Sequence, residues 1–292
     1  MRGLNDSICQ LPLNFPQTFL PERRLLSKIL EFSAEGGSGT KVDIREKTGI
    51  PTGKSTGKVE PIIYYACGMG LINAQKKNAG IWELSLTQLG SLIIKEDPFL
   101  SEEQTLWMLH LMLCRIDGVD GSATGIADPW FALFADGSFR LGNSFKQVSF
   151  QDFLTDRYGE KSYLQSLSGV VLRSYLRESC FGNIGVLQQI EDELIVRLTA
   201  PVDKAFFPVY AAYFYIIWDE LFSDDDQVSL DVFSEKSCFF SIINWDDSAK
   251  SRWLTWMSDQ GLIQVDRYTG SPVLLRLKTV ELVVMNIYSE LI

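Results

Sequence analysis

The sequence has one histidine, no CxxC pair, no surplus of basic residues and no long apolar run. Each deficit excludes a class of chemistry. A lone histidine, His110, cannot build a multi-histidine metal site or a histidine-pair nuclease within one chain. The five cysteines, Cys9, Cys67, Cys114, Cys180 and Cys238, stand at least 47 residues apart. That spacing excludes a zinc knuckle and reads as reduced, buried thiols of a cytoplasmic protein. The first 20 residues lack an apolar core with a cleavage site, so no signal peptide is expected. The longest apolar run, Ala205–Trp218, has 14 residues and is broken by Pro208. It falls short of the roughly 20 residues that cross a bilayer and reads as a buried core helix. The net charge of −10, taken whole, argues against a general nucleic-acid or anionic-membrane binder.

What remains is an ordinary globular balance, 46% hydrophobic and 22% charged, in 292 residues. Glu22–Glu35 puts Leu25, Leu26, Ile29 and Leu30 on one helical stripe, and the run Gly36-Gly37-Ser38-Gly39 stops it. Asp43-Ile44-Arg45-Glu46 has the spacing of a capping box, with Asp43 as N-cap and Glu46 at N3. A polar turn, Thr52–Lys58, leads to a third helix with Val59, Ile62, Ile63 and Ala66 on one face. Pro61 belongs in its first turn, because proline deeper in a helix breaks the hydrogen-bond ladder. Leu71–Gln75 and Ile81–Thr87 read as a hairpin, and Gln88–Lys95 as a closing helix. Helix, helix, turn, helix and hairpin is the order of a winged helix-turn-helix.

The middle of the chain reads as helical. Helices are expected at Ser101–Arg115, capped by Ser101, and at Asp128–Phe134, Ser149–Tyr158 and Tyr163–Cys180, with one strand at Glu193–Leu198. Gly118–Gly125 reads as a loop. The C-terminus repeats the N-terminal pattern at an offset of 191: Gly70-Leu71-Ile72 falls on Gly261-Leu262-Ile263, and Leu84-Ser85-Leu86 on Leu275-Arg276-Leu277. The alignment needs no gap, which predicts hairpins of equal length and a second winged-helix-like unit. The expected organisation is therefore mainly α with small β-hairpin wings. It has a winged helix-turn-helix over 22–95, a helical middle over 96–203, and a C-terminal helical domain with a winged-helix-like end over 204–292.

The charge is unevenly spread. Residues 22–95 hold eleven Lys and Arg against seven Asp and Glu, a net of +4, and residues 96–292 carry −14. Lys54, Ser55, Thr56 and Lys58, with Thr52 before them, sit at the start of the third helix, where free N–H groups favour phosphate. Lys76 and Lys77 fall at the wing tip, and Arg45 and Lys47 on the second helix, which crosses the backbone in this motif. These nine residues are the candidate DNA contacts. They are phosphate contacts, which give affinity and register rather than base specificity.

Other motifs carry less. Gly49–Ser55 resembles a phosphate loop but has three residues between its glycines where the motif needs four, so no NTP site is expected. His110 lies in an apolar helix and reads as a core residue. Asp117, Asp120 and Asp128 cluster in sequence, as do Asp246 and Asp247, and converging carboxylates can hold Mg2+. Their spacing matches no nuclease signature, so they read as loop acids and helix caps. Tyr64 and Tyr65 could act as nucleophiles in principle, but their helix is patterned to pack.

The segment Gly49–Pro61, with Tyr65-Ala66 and Met69-Gly70-Leu71-Ile72, resembles a bacterial family encoded in DNA phosphorothioation gene clusters. So do Leu86-Thr87, Leu89-Gly90, Glu96-Asp97-Pro98 and Thr105-Leu106-Trp107 followed by Leu109-His110. The likeness covers about residues 22–115 and is diffuse beyond. It implies a protein of antiphage defence that binds double-stranded DNA and nicks one strand, so that sulfur can replace a non-bridging oxygen. It implies Mg2+ as the cofactor of nicking. Its partners would be a cysteine desulfurase, an ATPase and a PAPS-reductase-like protein, with no membrane partner. The resemblance carries over no catalytic residue. The alternative reading is a non-catalytic DNA-binding adaptor or regulator that recruits the modification enzymes.

Overall fold

The computed structural model describes residues 11–53, 57–117, 124–190, 193–266 and 270–290. The first unit follows the expected order: α1 (Arg23–Ala34), β1 (Ser38–Gly39), α2 (Lys41–Thr48), α3 (Val59–Gly68), β2 (Ile72–Lys76), β3 (Trp82–Leu86) and α4 (Gln88–Glu96). The apolar stripe of α1 is buried as its spacing requires. The capping box lies three residues earlier than expected. Thr40 is the N-cap and Asp43 is at N3, where its Oδ2 accepts from Thr40 N at 2.8 Å. Asp43 therefore answers the cap rather than forming it. The Thr40 amide and hydroxyl hold its carboxyl below the usual carboxylate range. Gly49 ends α2 at φ +71°, a conformation that favours glycine.

Next comes α5 (Glu103–Leu113), which buries every residue from Gln104 to Leu113. Ser101 is not its N-cap. Glu102 holds that position, and Asp97 reaches forward to accept from the amides of Ser101 and Glu102, each at 3.0 Å. A helix apolar on all sides must be covered on all sides, and α5 packs on both α3 and α10 (Phe207–Leu221). In α10 the residues Phe207–Trp218 are all buried, as expected of a core helix. Among the described residues no helix is long and apolar enough to cross a membrane.

The middle of the chain is more than helical. It comprises α6 (Asp128–Phe131), a π-helical turn over Ala132–Asp136, α7 (Gly137–Arg140), β4 (Ser144–Lys146), α8 (Gln147–Tyr158), α9 (Leu164–Leu176), β5 (Leu187–Gln189) and β6 (Leu194–Arg197). The helix expected to run to Cys180 stops at Leu176, because Arg177 turns extended. The last unit has α10, β7 (Gln227–Ser229), α11 (Leu230–Ser237), α12 (Phe239–Ile243), α13 (Asp247–Asp259), β8 (Ile263–Asp266), β9 (Val273–Arg276) and α14 (Val280–Val284).

The three sheets share one plan. Each is antiparallel, with its first strand paired to its third and the third to its second. Each is preceded by a helix and has helices between its first strand and its hairpin. Among the described residues one topology thus occurs three times, not twice. The hairpins are not of equal length, because Ile72 pairs with Leu86 whereas Ile263 pairs with Arg276, one residue nearer.

Polar groups also cross between units. Buried Arg115 donates from Nη1 to Gly68 O at the end of α3 (3.0 Å), and its Nε lies 3.4 Å from Glu220 on α10. His110 is fully buried, with Nδ1 2.8 Å from the Tyr175 hydroxyl. Burial, reinforced by the Arg197 charge, lowers its pKa to about 3. The unfolded chain takes up that proton near pH 6.5 and the folded protein does not. Folding stability should therefore be undiminished above pH 6.5 and fall as the pH drops, by about 1.4 kcal/mol per unit. Thermal melts between pH 7 and pH 5 should show this slope, and His110→Gln should flatten it. An unchanged slope in the variant would assign the dependence to another group.

Candidate nucleic-acid interface

Eight of the nine candidate contacts fall into three groups, and Thr52 lies in the loop before α3 described below. Lys54, Ser55 and Thr56 lie outside the described residues. Arg45 and Lys47 are exposed on α2, which buries only Ile44, so most of this helix faces solvent. Lys47 also lies over the Phe32 ring, 5.5 Å from its centre. The remaining lysines are paired within the unit. Lys58 Nζ meets Glu22 Oε1 at 2.5 Å, Lys77 Nζ meets Glu83 Oε2 at 3.2 Å, and Lys76 Nζ meets Glu60 Oε1 at 2.7 Å. Such half-exposed pairs are weak, on the order of 1 kcal/mol or less, so an incoming phosphate can compete for these cations.

The loop before α3 is closed by its backbone. Thr52 bridges Gly57, and Lys58 N donates to Pro51 O at 2.9 Å. A Cβ on Gly57 would lie 2.1 Å from Thr52 Oγ1, so only glycine permits this approach. The closure places Lys58 at the N-cap of α3.

The third helix itself offers little to a groove. All of α3 is buried except Glu60 and Tyr64, which are half-buried. The Tyr65 hydroxyl donates to Phe19 O at 3.1 Å, and its ring packs against Phe15 and Trp130. Tyr64 packs on Trp82. Neither tyrosine is presented as a nucleophile. The exposed basic surface of this unit is α2, the start of α3 and the hairpin tip. Two residues of that surface were not among the candidates: Glu60, and Lys41, whose Nζ meets Glu60 Oε2 at 3.0 Å. They are 19 residues apart, and no local spacing announces the pair.

Among the described residues the acidic candidates are spoken for separately. Both oxygens of Asp128 are taken by Arg157, from Nε at 2.9 Å and Nη2 at 2.8 Å, and Gly125 N and the Tyr158 hydroxyl add to them. Asp246 is the N-cap of α13, accepting from Ala249 N at 2.8 Å, and Asp247 pairs with Lys250. Asp120 lies outside the described residues. Among the described residues no group of three or more His, Cys, Asp or Glu is placed to hold a metal ion.

No family model matches the chain, and no curated protein matches it in sequence. Solved structures match it in shape, two of SspB among them. A magnesium-bound crystal structure of SspB aligns with a TM-score of 0.73, over 95% of this chain and 88% of that one. A second SspB crystal structure aligns at 0.70 with the same coverage. The chain has the SspB fold. SspB is also the member of the phosphorothioation family that the motifs of residues 22–115 resemble. Sequence identity to SspB is 14% in both alignments, so the likeness is one of backbone path and not of side chains. At 95% coverage it extends past residue 115, where the motif resemblance is diffuse.

Proposed function

We propose that this protein is a DNA-binding component of a DNA phosphorothioation system. The observation that carries the reading is the coincidence of the SspB fold with a basic first unit of net +4, on a chain that is otherwise −14. The order helix, strand, helix, helix, hairpin supports a winged helix in this unit. Its contacts are with phosphate. The exposed Arg45, Lys47, Lys76 and Lys77 supply charge, and the buried α3 supplies no base-reading face. The acidic remainder repels DNA and is left for protein partners, among which the resemblance points to a cysteine desulfurase, an ATPase and a PAPS-reductase-like protein.

Binding is tested by titrating a labelled duplex at several salt concentrations. The affinity should fall steeply with salt and vary little with sequence. Lys54→Ala with Lys58→Ala should flatten the log–log slope by about 0.9 for each DNA phosphate that the variant no longer neutralises. Salt-independent binding, or none, would remove the reading. Nicking and the adaptor role part on a second experiment, in which supercoiled plasmid is incubated with the protein and Mg2+. Open-circle product assigns nicking to this chain. Its absence at high protein concentration, with DNA binding intact, assigns the adaptor role.

A further inference from the structure

Glu60 stands in the first turn of α3, where α2, β2 and the closed loop before α3 meet. Each of its oxygens holds a different lysine, Oε2 that of Lys41 at 3.0 Å and Oε1 that of Lys76 at 2.7 Å. The carboxylate is mostly covered, at 20% exposed, while the two lysine side chains are 45% and 47% exposed. The arrangement is an anion set inside with two cations presented outward. Lys76 is further restrained by lying over the Trp82 ring, 5.3 Å from its centre. Burial works against the charged form of Glu60, yet the two lysines hold its pKa below the ordinary value. It is a persistent negative charge on the surface assigned to phosphate.

We propose that Glu60 is an internal counter-ion that keeps Lys41 and Lys76 together as the binding pair for one DNA phosphate and yields them when the phosphodiester arrives. A phosphodiester offers two non-bridging oxygens and one negative charge, as the carboxylate does. An ammonium has three donors, so each lysine can turn to the new anion without leaving its place. The inference rests on the reading that this unit binds DNA. It adds that the protein restrains its own affinity, through a residue that touches no base.

The test measures the Kd of a labelled duplex by anisotropy for the full chain and for Glu60→Gln, with Glu96→Gln as the control. The control removes the same charge from a pair, Lys95–Glu96, outside the Lys41–Lys76 pair. The expected result is a roughly threefold to tenfold tighter Kd for Glu60→Gln and no change for the control. Equal gains in both variants would assign the effect to net charge and overturn the proposal. Unchanged or weaker binding by Glu60→Gln would overturn it too, making the residue a mere positioner, while the salt dependence of the unaltered chain still upheld DNA binding. If the unaltered chain shows no salt-dependent binding, both readings fall. Lys41→Ala with Lys76→Ala, two surface changes that spare the fold, should weaken binding and flatten the salt slope by about 0.9, the share of the one phosphate they hold. An unaltered slope in that variant also counts against the proposal.

Discussion

Gly90→Ala should destabilise the protein by about 3 kcal/mol and lower its melting temperature by roughly 6–12 °C. The residue lies in the first turn of α4, pressed against the start of the hairpin. A Cβ there would stand 1.9 Å from Leu71 O, a backbone atom that cannot step aside. That same carbonyl accepts from Thr87 N at 3.1 Å, and Thr87 Oγ1 accepts from Gly90 N at 2.9 Å to cap the helix. Lifting α4 to admit a methyl would break both bonds together. Ser91→Ala, one residue on and exposed, should stay within about 0.5 kcal/mol. Calorimetry of the two variants decides the matter, and equal melts would show that α4 is not held by this approach. Gly90 is one of the residues that carry the family resemblance, and its reason is packing rather than chemistry.

The second large effect is expected at Arg157. Its guanidinium grips Asp128 with two bonds and Asp136 with a third, at 2.6 Å. The three side chains are only 15–29% exposed. Arg157→Ala removes the guanidinium that bridges two mostly covered carboxylates, which should cost about 3–5 kcal/mol. Arg157→Lys should recover little of that, because a compact ammonium cannot offer the planar fork that spans both acids. Chemical denaturation of the two variants measures the effect, and a loss below about 1 kcal/mol would mean that water replaces the guanidinium readily. The grip joins α6 and the π-helical turn after it to α8, and it accounts for why Asp128 is not presented to a metal.

Some elements were legible because they rest on local rules. The stripe of α1, the placement of Pro61 and the hairpin after Leu71 follow from periodicity and from what proline and glycine permit. The capping box was legible as a pattern but not in its register, because Asp43 suits N-cap and N3 alike. Only the closing of β1 beside it makes Thr40 the first residue of the turn. The middle sheet was legible only in β6, the strand expected at Glu193–Leu198. Its strands run three to four residues, too short for an alternating pattern, and β4 pairs with β6 nearly fifty residues on.

The candidate site shows the same division. The sequence by itself determined that a basic unit of net +4 sits at one end of an acidic chain, and that its lysines cluster at the turn before α3 and at the wing tip. Charge counts and turn signals need no partner to be read. The tertiary structure alone decided which of those groups are presented. Phe15, Trp130 and α5 cover α3, and Glu60 gathers Lys41 and Lys76 from two other elements. Periodicity reports that one face of a helix is apolar, but not whether a distant segment covers the other. An ion pair spanning 16 or 19 residues depends on where the chain returns, and local spacing carries no record of that.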